Sequence, residues 1–167
     1  MSRIVYVDGI WDLFHMGHIK HFMELKNLDN KDNFLVVGII SDKDAEGYKR
    51  KPIYSQEHRK FLISSCKYVD KFIENAPLVL TKEFIAEHNI DLVCHGFSDI
   101  NDLTKQDEFF KVPKELGKFR AVKYNEGIST TDIIKKIQNR KIEKKEDNFI
   151  EKKVNENIIL DITDKNR

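Results

Sequence analysis

Apolar residues along this chain fall into two alternating rhythms. Short apolar runs at residues 4–7, 34–40, 90–94 and 119–124, with a weaker one at 69–73, predict strands. The run Phe34-Leu35-Val36-Val37-Gly38-Ile39-Ile40 shows no polar alternation, as a parallel strand covered on both faces requires. Between the runs the period lengthens: Ile19, Phe22 and Met23 recur at helical spacing. Ser55 is placed to cap a helix, with His58 where a capping-box acid would sit, and Thr81 to cap another running to about residue 88. Gly127 turns the chain into a further helix start at Ser129-Thr130-Thr131-Asp132-Ile133-Ile134. Strands alternating with helices predict an α/β fold, a doubly wound parallel sheet in a single domain. Such sheets collect ligands at the carboxyl ends of their strands, which is where the unusual motifs of this chain fall.

Charge and composition narrow the picture. The 167 residues carry 29 Lys and Arg against 28 Asp and Glu, a net +1, so nothing points to nucleic acid as the main partner. Met1-Ser2-Arg3 runs straight into a strand, so no signal peptide is expected, and no stretch approaches the ~18 apolar residues of a membrane span. Cys66 and Cys94 are too few for a disulfide framework and fall at predicted element ends, which suggests a reduced, cytoplasmic protein. From residue 141 onward mixed charge is dense, as in Lys144-Lys145-Glu146-Asp147. The chain therefore reads as a single folded domain over 1–140 and a charged C-terminal extension over 141–167, in which residues 154–162 hold enough apolar side chains for a short strand or packed tail.

The chemistry concentrates after the first strand, in Asp8-Gly9-Ile10-Trp11-Asp12-Leu13-Phe14-His15-Met16-Gly17-His18. His15 and His18 sit three apart, on neighbouring positions of one helical face. A helix N-terminus already offers free N–H groups and a positive dipole end, so two imidazoles there suit phosphate, above all phosphate gaining charge in a transition state. The Gly-rich turn of dinucleotide folds is missing, since only Gly9 and Gly17 lie in the region. Histidines at this spacing can also share a metal ion; no third ligand has matching spacing, although Cys94 or His95 could converge on one. Other residues invite plainer readings: His21 and His88 as exposed helix positions, Trp11 as packing at the site mouth, Phe109-Phe110 as core or interface.

The chain resembles the cytidylyltransferase family, over roughly residues 4–138. The likeness rests on five motifs in order: Asp8-Gly9 with His15-Met16-Gly17-His18, Tyr68-Val69-Asp70, Asn75-Ala76-Pro77, Cys94-His95-Gly96, and Glu126-Gly127-Ile128-Ser129-Thr130-Thr131-Asp132. The resemblance implies a Rossmann-like fold and attack of a phosphomonoester oxygen on the α-phosphate of CTP, expelling pyrophosphate and leaving a CDP-alcohol phospholipid precursor. It assigns His15, His18 and Lys49 to catalysis, Lys49 lying ten residues before Arg59 as the family's loop lysine does. It assigns Gly9, Ile10, Trp11, Asp12, His95, Gly96, Tyr124, Glu126, Gly127, Ile128, Ser129, Thr130 and Thr131 to the nucleotide. A magnesium ion (Mg2+) is expected to arrive with the triphosphate; no carboxylate cage is visible, although Asp12 could help. A homodimer formed through residues 66–70 is implied as well.

Two departures bear on activity and substrate. The family's usual Arg-Thr-Glu-Gly is here Tyr124-Asn125-Glu126-Gly127, which removes a cation at 124; Lys123, one position away on a strand, should face the other side. The rival to an active enzyme is a weak CTP-binding domain, like the second half of the two-domain ethanolamine enzyme. The aromatic residues with which the choline enzymes surround a quaternary ammonium are replaced by Leu78 and Ile100, while Asp99 could serve a primary ammonium. That favours phosphoethanolamine as acceptor, bound by Lys49, Leu78 and Asp99, over phosphocholine or glycerol 3-phosphate.

Overall fold

A computed structural model of the protein describes residues 2–97, 100–123 and 127–140. Five strands, β1 (Ile4–Gly9), β2 (Phe34–Ile39), β3 (Lys71–Glu74), β4 (Leu92–Phe97) and β5 (Phe119–Lys123), form one all-parallel sheet in the order β3-β2-β1-β4-β5. Seven α-helices accompany them among the described residues: α1 (Met16–Lys26), α2 (Asp42–Tyr48), α3 (Gln56–Ser64), α4 (Lys82–Glu87), α5 (Ile100–Gln106), α6 (Lys111–Glu115) and α7 (Thr130–Asn139). Residues 1–134 make one compact unit and residues 135–167 a second, of which only 135–140, the end of α7 and the residue after it, are described. The extension read at 141–167 lies outside the described residues.

The two-residue period of a strand sorts the core into two layers. On one face Val5, Val7, Leu35, Val37, Ile39 and Cys94 pack with Phe22 and Leu25 of α1 and Ile63 of α3. On the other, Tyr6, Val36 and Val93 pack with Leu80, Ile85, Ile90 and Phe110. A helix as short as α1 is marginal alone in water. Burial of Phe22 and Leu25, about 1.5–3 kcal/mol each, is what holds it.

The sheet's own pairing makes the ligand crevice. β1 stays on β2 to its last residue, Gly9 against Ile39, and β4 stays on β5 to Phe97 against Lys123. Between β1 and β4, however, only Val5–Leu92 and Tyr6–Val93 are paired. The two strands therefore part after Tyr6 and Val93, at the switch point of the strand order, and Asp8 and His95 stand at the opening.

Gly38 is required by a close approach rather than by a turn. A Cβ there would meet the Ala76 Cβ at 2.8 Å and the Tyr6 hydroxyl closer still, and Tyr6, fully buried, has nowhere to go. Gly38→Ala is expected to cost about 1–3 kcal/mol by overpacking, read as a lower urea midpoint at unchanged slope.

Several expected boundaries move. The strand expected at 69–73 is Lys71–Glu74, because Asp70 turns its carboxylate back onto the Leu35 N–H and the Lys26 ammonium (2.7 and 2.5 Å) just before the ladder begins. The strand expected at 90–94 starts two residues later and runs through His95 and Gly96 to Phe97, carried by its pairing to β5. Cys94 therefore sits inside a strand, fully buried, its thiol pushed up to about 12 mainly by that burial. The strand expected at 119–124 is described to Lys123, where Tyr124 leaves the described residues.

Candidate functional site

A cleft of about 410 Å³ opens over the parted ends of β1 and β4. One side is the turn from β1 into α1, and its backbone is strained. Trp11 and Leu13 have φ of 56° and 45°, a region that bulky residues avoid at a cost of order 1–3 kcal/mol each. Three contacts hold the turn there. The Trp11 indole donates to the Gly38 carbonyl at 2.8 Å, and the buried Asp12 carboxylate accepts the Ile53 and Tyr54 N–H groups, both at 2.9 Å. Trp11 is thus a packing residue. Both oxygens of Asp12 are committed to backbone, which argues against the metal-assisting role considered for it.

The turn delivers His15 as the N-cap of α1. His15 Nδ1 accepts the Gly17 N–H at 3.1 Å, and the His15 N–H donates to His18 Nδ1 at 3.3 Å, a capping box built from two imidazoles. The rings stack with centroids 3.8 Å apart, and Phe14 also stacks with His18, at 5.5 Å. Because each Nδ1 is an acceptor, each neutral ring carries its proton on Nε2. The glycine between them has a reason as well: a Cβ on Gly17 would lie 3.0 Å from the His15 ring and 3.2 Å from the Ile128 carbonyl.

Burial first, then neighbouring His15 and His21, lower the His18 imidazole to about 3. Burial and then His95 lower His21 to about 4, and burial also lowers His15 against the opposing pull of Asp132. These three imidazoles are therefore neutral near pH 7 and offer N–H donors, not charge. For stability the sign is set by folded values below the unfolded value of 6.5. The contribution of His18 and His21 is whole above that unfolded value and shrinks as pH falls toward their folded ones. From about pH 7 to about pH 6 the protein is expected to lose about 1 kcal/mol from this pair, checked by urea titrations at the two pH values in His21→Gln and the parent chain.

Beside the histidines, the segment from Gly127 through Thr131 brings a second helix N-terminus to the same cleft. Ser129 and Asp132 cap α7 reciprocally, with Ser129 Oγ to Asp132 Oδ2 at 2.7 Å and the Asp132 N–H to Ser129 Oγ at 3.1 Å. Thr130 Oγ1 donates to the Asp12 carbonyl at 2.8 Å, tying this helix start to the strained turn. The exposed Lys49, which caps the C-terminus of α2, and Arg50, 3.4 Å from Thr131 Oγ1, supply cations at the rim.

Of the residues assigned from the sequence, Gly9, Ile10, Trp11, Asp12, His15, His18, Lys49, His95, Gly96, Gly127, Ile128, Ser129, Thr130 and Thr131 all line this one cleft. Leu78, half-buried in the loop after β3, does not line it. Asp99, Tyr124 and Glu126 lie outside the described residues. The structure adds residues that the sequence reading passed over. His21, read as exposed, lines the cleft, since it follows His18 by one helical step; His88, also read as exposed, is half-buried beside Phe84 (ring centroids 4.6 Å). Asp8, 5% exposed, faces His95 Nδ1 at 3.5 Å, and Tyr48, Asp102 and Gln106 come in from α2 and α5. Burial, then the charges of Asp8 and Asp102, push the Tyr48 phenol up, so it stays a hydrogen-bonding hydroxyl. Among the described residues no three His, Cys, Asp or Glu side chains gather to hold a metal ion.

Known proteins bear on this geometry. A family model described as cytidylyltransferase-like matches residues 6–136. Over 133 residues, 80% of this chain, it is 41% identical to choline-phosphate cytidylyltransferase A of Homo sapiens, covering 36% of that protein. Over 162 residues it is 35% identical to ethanolamine-phosphate cytidylyltransferase of Dictyostelium discoideum, covering 90% of this chain and 44% of that one. The chain thus spans under half the length of these curated relatives. A solved structure, the lipopolysaccharide core biosynthesis protein from Thermoplasma volcanium GSS1, superposes with a TM-score of 0.56 at 26% identity, over 74% of this chain and 98% of the other.

Proposed function

The chain belongs to the cytidylyltransferase-like family, and from that membership we propose that it transfers the cytidylyl group of CTP to a phospho-alcohol, phosphoethanolamine before phosphocholine. The observation that carries this reading is the pair of helix N-termini that meet side by side at one cleft, one carrying the stacked His15 and His18, the other Ser129, Thr130 and Thr131.

A phosphomonoester oxygen of the acceptor attacks the α-phosphorus of CTP in line. The new P–O bond forms with that oxygen's electron pair, and the bond to the bridging oxygen breaks toward pyrophosphate. No proton has to move, so catalysis is positioning and charge stabilisation. The Nε2–H groups of His15 and His18 donate to the α-phosphate oxygens as charge accumulates there, and the N–H groups at the start of α7 hold the triphosphate. Lys49, on a mobile stem at the rim, bridges acceptor phosphate and α-phosphate. Magnesium fits this site as a passenger of the triphosphate, whose charge it screens when bound; Asp12, with its oxygens on backbone N–H groups, supplies no open carboxylate for it.

At the inner end, Asp8, Asp102 and the Tyr48 hydroxyl offer a primary ammonium acceptors. Among the described residues no membrane-length apolar helix occurs; a homodimer paired through residues 66–70, on the family likeness alone, and a reducing, cytoplasmic setting, on the two cysteines, complete the proposal. The test is pyrophosphate release from CTP and magnesium with phosphoethanolamine, phosphocholine and glycerol 3-phosphate in parallel. Turnover is expected with phosphoethanolamine above the others. Silence with all three, in protein that still binds CTP, would favour the second reading, a nucleotide-binding domain that lost catalysis with the arginine replaced by Tyr124.

A further inference from the structure

We propose that Arg50 grips the β- and γ-phosphates of the bound nucleotide, the part that departs as pyrophosphate. The inference rests on the transferase reading above and gives a charged ligand to phosphates for which that reading supplies backbone N–H groups.

Positive charge is scarce in the cleft. His15, His18 and His21 offer N–H donors without charge near pH 7. Asp8, Asp12, Asp102 and Asp132 meanwhile bring carboxylates to the lining. Among the described lining residues, Lys49 and Arg50 are the fixed cations. A triphosphate carries several negative charges, and Lys49 is engaged where the acceptor phosphate meets the α-phosphate. Arg50 is left for the remainder.

Its position agrees. The N–H groups of Lys49 and Arg50 both donate to the Ala45 carbonyl, at 3.0 and 3.1 Å, and Ala45 is fully buried. The segment that carries both cations is thus moored to the core at one residue. From there Lys49 is exposed, whereas Arg50 is half-buried and reaches the start of α7, with Nη1 3.4 Å from Thr131 Oγ1. That helix start adjoins the histidines: a Cβ on Gly17 would lie 3.2 Å from the Ile128 carbonyl, and Thr130 donates to the Asp12 carbonyl. Contacts therefore run from the histidine pair through Ile128, Thr130 and Thr131 to Arg50. A nucleotide with its α-phosphate on the imidazoles and its next phosphates on the α7 N–H groups would bring the guanidinium its outer oxygens.

The guanidinium is also uncommitted. It has five N–H donors, one long contact to a neutral hydroxyl, and no carboxylate partner among the described residues. Its planar fork can take two oxygens of one phosphate, or one from each of two neighbours, with a geometry an ammonium lacks. When the bond from the α-phosphorus to the bridging oxygen breaks, the electron pair stays on that oxygen. The charge that grows on pyrophosphate is then met by a fixed cation, and no proton moves.

The experiment measures binding of CTP, CMP and pyrophosphate to the full chain, in the presence of magnesium, with Arg50→Ala and Arg50→Lys; thermal unfolding checks folding. Arg50→Ala is expected to raise Kd for CTP about 10–100-fold, the worth of one hydrogen-bonded contact between charged groups. Pyrophosphate should weaken in parallel, while Kd for CMP stays within about twofold. Arg50→Lys should recover part of the loss, since charge returns without the fork. Equal weakening of CTP and CMP would make Arg50 a prop for α7 and overturn the proposal, as would no change with any of the three. A rise in KM for phosphoethanolamine with Kd for CTP unaltered would overturn it too, by placing the guanidinium on the acceptor. A parent chain that binds CTP without turning over any acceptor would remove the transferase reading, and the same Kd values would still decide the role of Arg50.

Discussion

Replacing His18 by Ala is expected to lower kcat for CDP-alcohol formation by about 10²–10³-fold, the loss seen when one preorganised donor to a developing oxyanion is removed. The size follows from how completely the ring is held. Its Nδ1 is occupied by the His15 N–H, His15 and Phe14 both stack with it, and Trp11 packs against it at near right angles with centroids 5.4 Å apart. Nothing is left to reorganise when charge appears at Nε2–H. Truncation also removes a packed ring, so His18→Asn serves as the control: it keeps an acceptor for the His15 N–H but does not reach the α-phosphate. His15→Ala should lose a comparable factor, because without its Nδ1 the Gly17 N–H is unserved and the cap opens. The double variant should fall little further than either single one, since the two rings act as a unit. Single-turnover formation of labelled CDP-alcohol measures all of these directly, and a kcat within about threefold of the parent for His18→Ala would refute the assignment.

The legible part of this protein was what lies close together along the chain. The parallel strands announced themselves through their apolar runs, and the histidine pair through its spacing and its place after a strand. Ser129, Thr130 and Thr131 were legible both as a cap and as phosphate ligands, and the structure gives Ser129 and Thr130 a structural contact without withdrawing them from the cleft. What escaped is what only the topology assembles. α2 has a single buried residue, Ala45, and so no apolar period to betray it; its start is fixed by Ser41 accepting the Asp44 N–H. Without α2, Tyr48 had no address. Asp8 looked like half of an Asp-Gly turn because its burial comes from the parting of β1 and β4, a pairing that no local pattern encodes. His21 was misjudged for a similar reason: the polar residue that follows His18 on the inward stripe of α1 reads as solvent-facing until the cleft is known to extend beneath it.

Arg59→Ala is expected to cost about 2–6 kcal/mol, at about 1–3 kcal/mol for each of the two carbonyls left without a donor, against a total stability of about 5–15 kcal/mol. Arg59 is fully buried, and its guanidinium ties α3 to two segments distant from it in sequence, the turn at Ile10 and the junction of β2 with α2 at Ile40 and Asp42. Nη1 donates to the carbonyls of Ile10 at 2.6 Å and Ile40 at 3.0 Å, while Nη2 pairs with Asp42 at 2.5 Å. Those atoms belong to the strained turn after β1, the end of β2 and the start of α2. Removal leaves two carbonyls without a donor at the base of the crevice, whereas Asp42, its side chain 46% exposed, can be hydrated. Asp42→Asn should therefore cost much less than Arg59→Ala. Arg59→Lys discriminates further: an ammonium keeps the charge but lacks the planar fork that reaches carbonyls and carboxylate at once. It should fold with an intermediate loss by urea titration. In that folded variant α2 is no longer clamped to the turn that carries His15, so Lys49 at its far end and the histidines lose their common reference. The expected kinetic signature is a fall in kcat with little change in KM for CTP. A structural arginine that merely filled space would lower stability and leave kcat of the folded protein untouched.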